Sequence, residues 1–313
     1  MKSSYLALDY RCNHNCMICP LSTADKMHRA LTLDEVKDNI EKNCIGEGDH
    51  LVLSGGEPCL SPYIFDCLEY LTNRGIHITM LTNCSQFVRS EFLDRVEMTV
   101  DKHKFDVVTA IHSMDAALHN KITGTEGSLA TSIEAVEQLV GHGFHLTVKH
   151  IVNRLCITSL PQLAEEICRR FPPSVEFQLT AMDFCGRASK NQRLLFVTFE
   201  EAQPYIEKAL DIFEGERQRR RLTLLEFPFC GVDPYFWKYF AFANKNINLY
   251  SAPNVNKNEE RYIVDEQTHC HTVKACEDCV IKDTCAGVWE SAFRLGGENL
   301  VRPIRKEKDI KFK

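Results

Sequence analysis

Strand-like and helix-like segments alternate over the first two thirds of this 313-residue chain, and that alternation limits the fold more than any other feature. YLALDY, residues 5–10, alternates apolar and polar residues as a half-buried strand does. HLVLSG, IHITMLTN, FDVVTAIHS, HLTVKHIVN and SVEFQLTAM read as five further strands. Between them lie amphipathic stretches such as LTLDEVKDNIEKNC, with Thr32 as N-cap and Glu35 at the capping-box position. SPYIFDCLEYLTNRG has Pro62 near its start and Gly75 at its end, the usual helix punctuation. FVRSEFLDRVE, SLATSIEAVEQLVGHG and LPQLAEEICRRF complete the alternation. Six such units predict a parallel α/β fold. Hydrophobicity alone leaves an open sheet and a partial barrel equally possible. From about residue 222, Pro, Asn, Lys and Cys accumulate and the helical signal fades. The predicted division is therefore 1–221 and 222–313.

Composition narrows the setting. Hydrophobic residues make up 44% and charged residues 26%, enough for a substantial core. A net charge of -6 gives no reason to expect nucleic acid or an anionic membrane as partner. The basic run ERQRRR (Arg217, Arg219, Arg220, Arg221) reads as a solvated helix end. No apolar stretch reaches membrane-spanning length, and the N-terminus lacks a signal-peptide core, so a cytoplasmic protein is expected. In that setting fifteen cysteines point to metal binding where they cluster, not to disulfides. The scattered Cys44, Cys67, Cys156 and Cys168 are expected to be small buried hydrophobes.

Directly after the first strand comes DYRCNHNCMICP, with Cys12, Cys16 and Cys19 at C-x3-C-x2-C spacing. A structural zinc site takes four ligands and a disulfide takes two. Three thiolates suit a metal centre with one position left open. The same spacing would align on a helix face, but Asn13, His14 and Asn15 are mediocre helix formers and Pro20 would stop the helix. After the second strand comes LSGGEP, where Gly55 and Gly56 permit close backbone approach and Glu57 can accept a charge-assisted hydrogen bond.

These two motifs, in consecutive strand-end loops, resemble the radical S-adenosylmethionine (radical SAM) superfamily. The resemblance implies a partial (βα)6 parallel barrel. It implies that Cys12, Cys16 and Cys19 hold three irons of a [4Fe–4S] cluster whose fourth iron is chelated by S-adenosylmethionine. Glu57, with Gly55 and Gly56, would bind the methionine ammonium. LTNCS resembles the family's Thr-Asn-Gly, with Asn83 in place and Cys84 where glycine is usual. AIHSMDAALHNKITG offers Ser113, and VKHIVNR offers Lys149 and Asn153, as further cofactor contacts. FCGRAS resembles the family's Gly-Arg-Ala turn, and the resemblance runs in register from residue 5 to about 190. Cys59, Cys84 and Cys185 fall at or near strand ends and are expected to be small, buried and inert; the alternative is that one of them is a hydrogen-atom donor or a substrate-attachment thiol near the cofactor.

A second cysteine group lies near the C-terminus. Cys276, Cys279 and Cys285 form C-x2-C-x5-C, with Cys270 just before and Cys230 upstream in FPFCGVDPYFW. Zinc, with three cysteines plus His269 or His271 or with four cysteines, and an iron–sulfur cluster both suit such a set. The run resembles the auxiliary-cluster extensions of radical SAM enzymes, SPASM or truncated Twitch domains, whose last cysteine is replaced here by Trp289. That implies one auxiliary [4Fe–4S] cluster in a small cysteine-rich α+β domain, held by Cys230, Cys276, Cys279 and Cys285, with Cys270 the alternative to Cys230. The aromatic stretch FPFCGVDPYFWKYF either lines a substrate pocket or packs as a seam.

By the same resemblance the chain is an oxygen-sensitive oxidoreductase or maturase. It would cleave S-adenosylmethionine reductively, with electrons from a flavodoxin or ferredoxin, to a 5′-deoxyadenosyl radical that takes a hydrogen atom from the substrate. A peptide or protein is the expected substrate. A small molecule or cofactor precursor is the alternative, and a metal-binding module without activity is the alternative of another class.

Overall fold

The computed structural model describes residues 2–23, 27, 29–216, 219–240 and 273–305. Seven strands form one parallel sheet, hydrogen-bonded in chain order: β1 (Ser3–Asp9), β2 (His50–Gly55), β3 (His77–Leu81), β4 (Phe105–Ala110), β5 (His145–Ile151), β6 (Val175–Thr180) and β7 (Leu222–Leu225). The crossovers carry α1 (Leu33–Lys42), α2 (Ile64–Asn73), α3 (Ser90–Thr99), α4 (Ala116–Thr123), α5 (Ser128–Gly141), α6 (Leu160–Arg170), α7 (Gly186–Lys190), α8 (Gln192–Leu195) and α9 (Phe199–Glu214). A last helix, α10 (Glu290–Gly296), lies in the C-terminal segment. Among the described residues no ladder joins β7 back to β1, so the sheet is a partial barrel.

Side chains alternate across each strand. Leu6, Leu53, Met80, Val107, Val148 and Phe177 point to the helices and enter the main core. Their neighbours in sequence face the other way, into the barrel, and many are polar: Ser54, Thr79, Gln178, Thr180 and Thr223 are all buried there. Gln178 Nε2 donates to Thr180 Oγ1 at 3.0 Å. Buried polar groups on an inner face keep partners and line a space suited to a polar ligand.

The predicted α/β class and the six units stand, and the structure adds a seventh strand. β7 pairs in register with β6, from Phe177↔Leu222 to Thr180↔Leu225. LTLL is four residues long and buried on both faces, so it carries no alternation to mark it as a strand. The expected boundary at 221/222 falls at its start. The capping box of Thr32 and Glu35 forms as expected, and a second one, Thr198 with Glu201, starts α9, which the periodicity did not signal.

Two further expectations are corrected. Arg220 is not on a solvated helix end: its side chain is fully buried. It donates to Glu216 at 2.9 and 3.0 Å and to the carbonyls of Phe171 and Pro172 at 3.0 Å. Val175 O is a further acceptor. It thus satisfies backbone acceptors past the end of α6, a task invisible in the charge run. Arg217 lies outside the described residues. Cys44 is exposed, with φ of +51° just past α1, where a helix often ends in a left-handed residue. Cys67 and Cys156 are buried, and Cys168 is half-buried.

The aromatic stretch after β7 is a seam. Phe236 and Phe240 are fully buried in the main core, and Phe229 stacks on Phe240 with ring centres 4.6 Å apart. Tyr235 and Tyr239 hydroxyls both donate to Glu214 of α9, at 2.6 and 2.5 Å. Phe236→Ala should therefore cost about 3–5 kcal/mol in urea unfolding, the range for a truncated core aromatic. A residue facing a ligand pocket would lose far less.

Candidate functional site

Cys12, Cys16 and Cys19 sit in a loop at the C-terminal end of β1, without regular structure of its own. Three other parts of the chain hold its backbone. From the β2 loop, Gly56 N donates to Asp9 O at 2.7 Å and Glu57 N to Arg11 O at 2.8 Å. From the end of α4, Ile122 and Thr123 carbonyls accept from Met17 N and Asn15 N at 2.8 and 3.0 Å. From the start of α7, Arg187 N and Ala188 N donate to Cys19 O at 3.0 and 3.1 Å. The Arg187 guanidinium donates to Cys16 O and Asn15 O, both at 3.0 Å. Asn191 Nδ2 donates to Met17 O at 3.2 Å.

Each approach is closed by a glycine with no room for a side chain. A Cβ on Gly56 would lie 2.3 Å from Tyr10 O, on Gly124 2.4 Å from Asn15 O, and on Gly186 2.1 Å from Pro20 O. The Gly-Gly pair thus serves backbone packing against residues 9–11: a Cβ on Gly55 would lie 2.3 Å from Asp9 O. Asp9 is buried and forms an ion pair with Arg11 at 2.6 Å, which fixes the loop's entry.

Glu57 is fully buried. Its carboxylate accepts from Thr82 Oγ1 at 2.6 Å, Asn83 N at 2.7 Å and Cys59 N at 3.0 Å. Burial pushes its pKa up, and hydrogen bonds from Thr82, Asn83 and both the backbone and the thiol of Cys59 oppose that rise. Asn83 lies between Glu57 and the cysteine loop: its Nδ2 donates to Asn13 Oδ1 at 2.7 Å and lies 3.9 Å from Cys12 Sγ. The Cys84 φ of +60° gives the physical reason that glycine suits the next position. Ser113, at the end of β4, is buried, and its Oγ accepts from Asp115 N at 3.0 Å, which leaves the hydroxyl proton to donate.

Lys149 lies on the inner face of β5, within charge range of Glu226 at the end of β7. Asn153 is turned to local use: its Nδ2 donates to Ile151 O at 2.8 Å and Cys156 Sγ at 3.0 Å, and its Oδ1 accepts from Leu155 N at 3.1 Å. Cys59 and Cys84 are buried in the main core, where burial holds both thiols protonated. Cys185 is exposed and donates to Asp183 at 3.2 Å; burial of the thiol and the Asp183 charge push it up to about 12.

Sequence reasoning missed Gly124 and Asn191, whose partners are distant in the chain. It also missed Glu226, which has the left-handed φ of +63° and a carboxyl pushed up to about 8 by burial, against the pull of Lys149. A third omission is a histidine stack beside Ser113. His112 and His119 rings lie 5.6 Å apart and His112 and His150 rings 6.0 Å apart, all buried.

Two predictions follow from this geometry. Gly186→Ala should cost about 1–3 kcal/mol and lower the iron held by the first thiol set, because its Cβ meets backbone. Gly127→Ala, with φ of +72° and open space around it, should keep that iron. Iron content and thermal unfolding of both variants check this. The second concerns pH. Burial lowers the histidine pKa values, to about 4 for His119 and His150 and well below the ordinary 6.5 for His112. Below pH 6.5 the unfolded chain takes up protons that the folded protein refuses. Stability from these groups is thus full above about 6.5 and is lost as pH falls toward 4, by up to about 3 kcal/mol each for His119 and His150. Urea midpoints should fall between pH 7 and pH 5, and His119→Gln should make the fall shallower.

The second thiol set is assembled from distant segments. Cys230, Cys276, Cys279 and Cys285 line one cleft with Pro228, Ile281 and Val301. Backbone N–H groups point at the sulfurs: Phe229 N and Gly287 N to Cys285 at 3.4 Å, and Arg302 N to Cys230 at 3.3 Å. Burial pushes the Cys230 thiol up to about 11, with the other three thiols adding to the rise. Burial likewise raises Cys276 and Cys285. Four crowded thiols, with N–H donors already aimed at the Cys230 and Cys285 sulfurs, are the donor set a cationic centre would satisfy. Cys270, His269 and His271 lie outside the described residues.

Residues 9–154 match the family model of the radical SAM superfamily. Residues 9–154 therefore carry a radical SAM domain. The AdoMet-dependent heme synthase of Methanosarcina barkeri is 26% identical over 160 residues, 50% of this chain and 45% of the relative. The antilisterial bacteriocin subtilosin biosynthesis protein AlbA of Bacillus subtilis is 22% identical over 305 residues, 90% of this chain and 66% of the relative. Among solved structures, Streptococcus suis SuiB bound to precursor peptide SuiA has a TM-score of 0.58 at 13% identity, covering 73% of this chain and 50% of that one. That likeness is one of fold. The chain spans between 45% and 66% of the length of these three relatives.

Proposed function

We propose that this protein is a radical SAM enzyme that modifies a peptide or protein. The observation that carries the reading is the three-thiol loop clamped from three sides beside Glu57 and Asn83. AlbA, a subtilosin biosynthesis protein similar over 90% of this chain, supports the peptide substrate. The heme synthase relative favours a small molecule instead, but its similarity covers only 50% of this chain.

In this reading Cys12, Cys16 and Cys19 bind three irons of a [4Fe–4S] cluster and leave the fourth iron to S-adenosylmethionine. When bound, that pair supplies a 5′-deoxyadenosyl radical able to take a hydrogen atom from an unactivated carbon. The chain's residues bind and orient. The Glu57 carboxylate would meet the methionine ammonium, the Ser113 hydroxyl would donate to the cofactor, and Asn83 ties Cys12 to the Glu57 loop. Lys149, near the C-terminal end of β5, and Glu226, just past β7, lie where a substrate would enter. Cys230, Cys276, Cys279 and Cys285 hold an auxiliary [4Fe–4S] cluster with no ligand position left open. A flavodoxin or ferredoxin supplies electrons. The proposed division is 1–221 for the barrel and 222–313 for the auxiliary segment, with β7 (Leu222–Leu225) joining the barrel's sheet and residues 229–240 packing as the seam.

Anaerobically reconstituted protein should hold about eight irons, and should form 5′-deoxyadenosine from S-adenosylmethionine with dithionite. Joint replacement of Cys12, Cys16 and Cys19 by Ala should abolish 5′-deoxyadenosine. Joint replacement of Cys276, Cys279 and Cys285 should remove about four irons. Air should inactivate the enzyme. About four irons with bound zinc would recast the C-terminal set as a zinc site. Protein without iron or 5′-deoxyadenosine would end the reading.

A further inference from the structure

The two thiol sets are far apart in sequence but share one apolar core, separate from the core between sheet and helices. It contains Ile18 of the cysteine loop, Phe184 and Ala188 of the segment after β6, and Val288, Ala292 and Val301 of the C-terminal segment. Cys16 packs against it from one side and Cys230 and Cys276 from the other. Within this core one side chain bridges the two parts by hydrogen bonds. Ser291, on the first turn of α10, accepts from Phe184 N at 2.9 Å and donates to Asp183 Oδ1 at 2.6 Å. Ser291 stands six positions after Cys285. Asp183 and Phe184 stand just before Gly186, Arg187 and Ala188, the turn that clamps the carbonyls of Asn15, Cys16 and Cys19.

We infer that Ser291 is a positioning residue that couples the two metal sites. Its hydroxyl sets where the Asp183–Phe184 segment lies, and that segment sets where Gly186–Ala188 meets the cysteine loop. The alternation is continuous: donor, acceptor, backbone turn, thiol loop. Phe184 N is on a buried residue, so removing the Ser291 hydroxyl leaves that donor without its acceptor, and the segment must shift or stay unsatisfied. Filling the C-terminal thiol set fixes residues 276–285, steadies α10 and so steadies the first site. Because coupling between binding sites is reciprocal, S-adenosylmethionine at the first site must steady the second equally. The inference rests on the proposed function in that both thiol sets hold iron and the first binds S-adenosylmethionine.

The test uses the full chain reconstituted anaerobically at both sites, with Ser291→Ala and Ser291→Thr. The two centres are resolved by the electron paramagnetic resonance signal that changes on adding S-adenosylmethionine. Ser291→Ala should lose iron from the first site to an iron(II) chelator roughly tenfold faster, and bind S-adenosylmethionine roughly tenfold more weakly, the scale for one stranded buried donor. Ser291→Thr keeps the hydroxyl and should restore both. In the unsubstituted protein, S-adenosylmethionine should slow iron loss from the C-terminal site. Ser291→Ala indistinguishable from the parent, Ser291→Thr no better than Ser291→Ala, or a C-terminal rate indifferent to S-adenosylmethionine would each overturn the coupling. A parent protein that holds no iron would instead overturn the proposed function, and the coupling with it.

Discussion

Everything in the first site depends on hydrogen bonds to the carbonyls of a loop that cannot hold itself. Residues 10–20 form no helix or strand, so their backbone groups need partners from elsewhere. The β2 loop, α4 and α7 supply them, and Arg187 alone reaches two carbonyls with its side chain and a third with its backbone. Bonds from a guanidinium are stronger than neutral ones, and its planar fork fixes direction as well as distance. Glycines at 56, 124 and 186 are the steric condition for this arrangement, because each comes within contact of a loop carbonyl. An open three-thiol site needs such outside support, since no fourth protein ligand ties it shut.

The barrel interior follows the same economy of partners. Its inner face carries Ser54, Thr79, Gln178, Thr180 and Thr223, buried but polar, while the outer face packs leucine, valine and phenylalanine under the helices. Burial then decides the state of each ionisable group. It holds the Cys59 and Cys84 thiols protonated, keeps His119 and His150 neutral, and raises Glu57 and Glu226. Glu57 keeps three donors around its carboxyl, whereas Glu226 is held in a left-handed backbone conformation at the open end of β7. Backbone strain of that kind persists where the surroundings overdetermine it, and it gathers at functional sites.

The C-terminal segment is joined to the barrel by two seams of different chemistry. The first is aromatic: Phe229, Phe236 and Phe240 enter the main core, and two tyrosines share Glu214. The second is the small apolar core around Phe184 and Ala292, pinned by Ser291. The second places α10 against the segment that leads into α7, whose first turn clamps the cysteine loop.

What the sequence by itself determined is what lies close together along the chain. The six strand–helix units, the capping box at Thr32, the thiol triplet and the Gly-Gly-Glu turn are all read within a few residues, because periodicity, capping and motif spacing are local. The tertiary structure alone decided what depends on contacts between distant segments. β7 exists as a strand because β6 offers it a ladder; Arg220 is buried because carbonyls beyond α6 need donors. Gly124 and Asn191 matter because Asn15 and Met17 fold against them, and Glu226 because the sheet brings Lys149 beside it. Hydrogen bonds and burial are properties of neighbours in space, and the neighbours of a loop residue are set by the closure of the whole barrel.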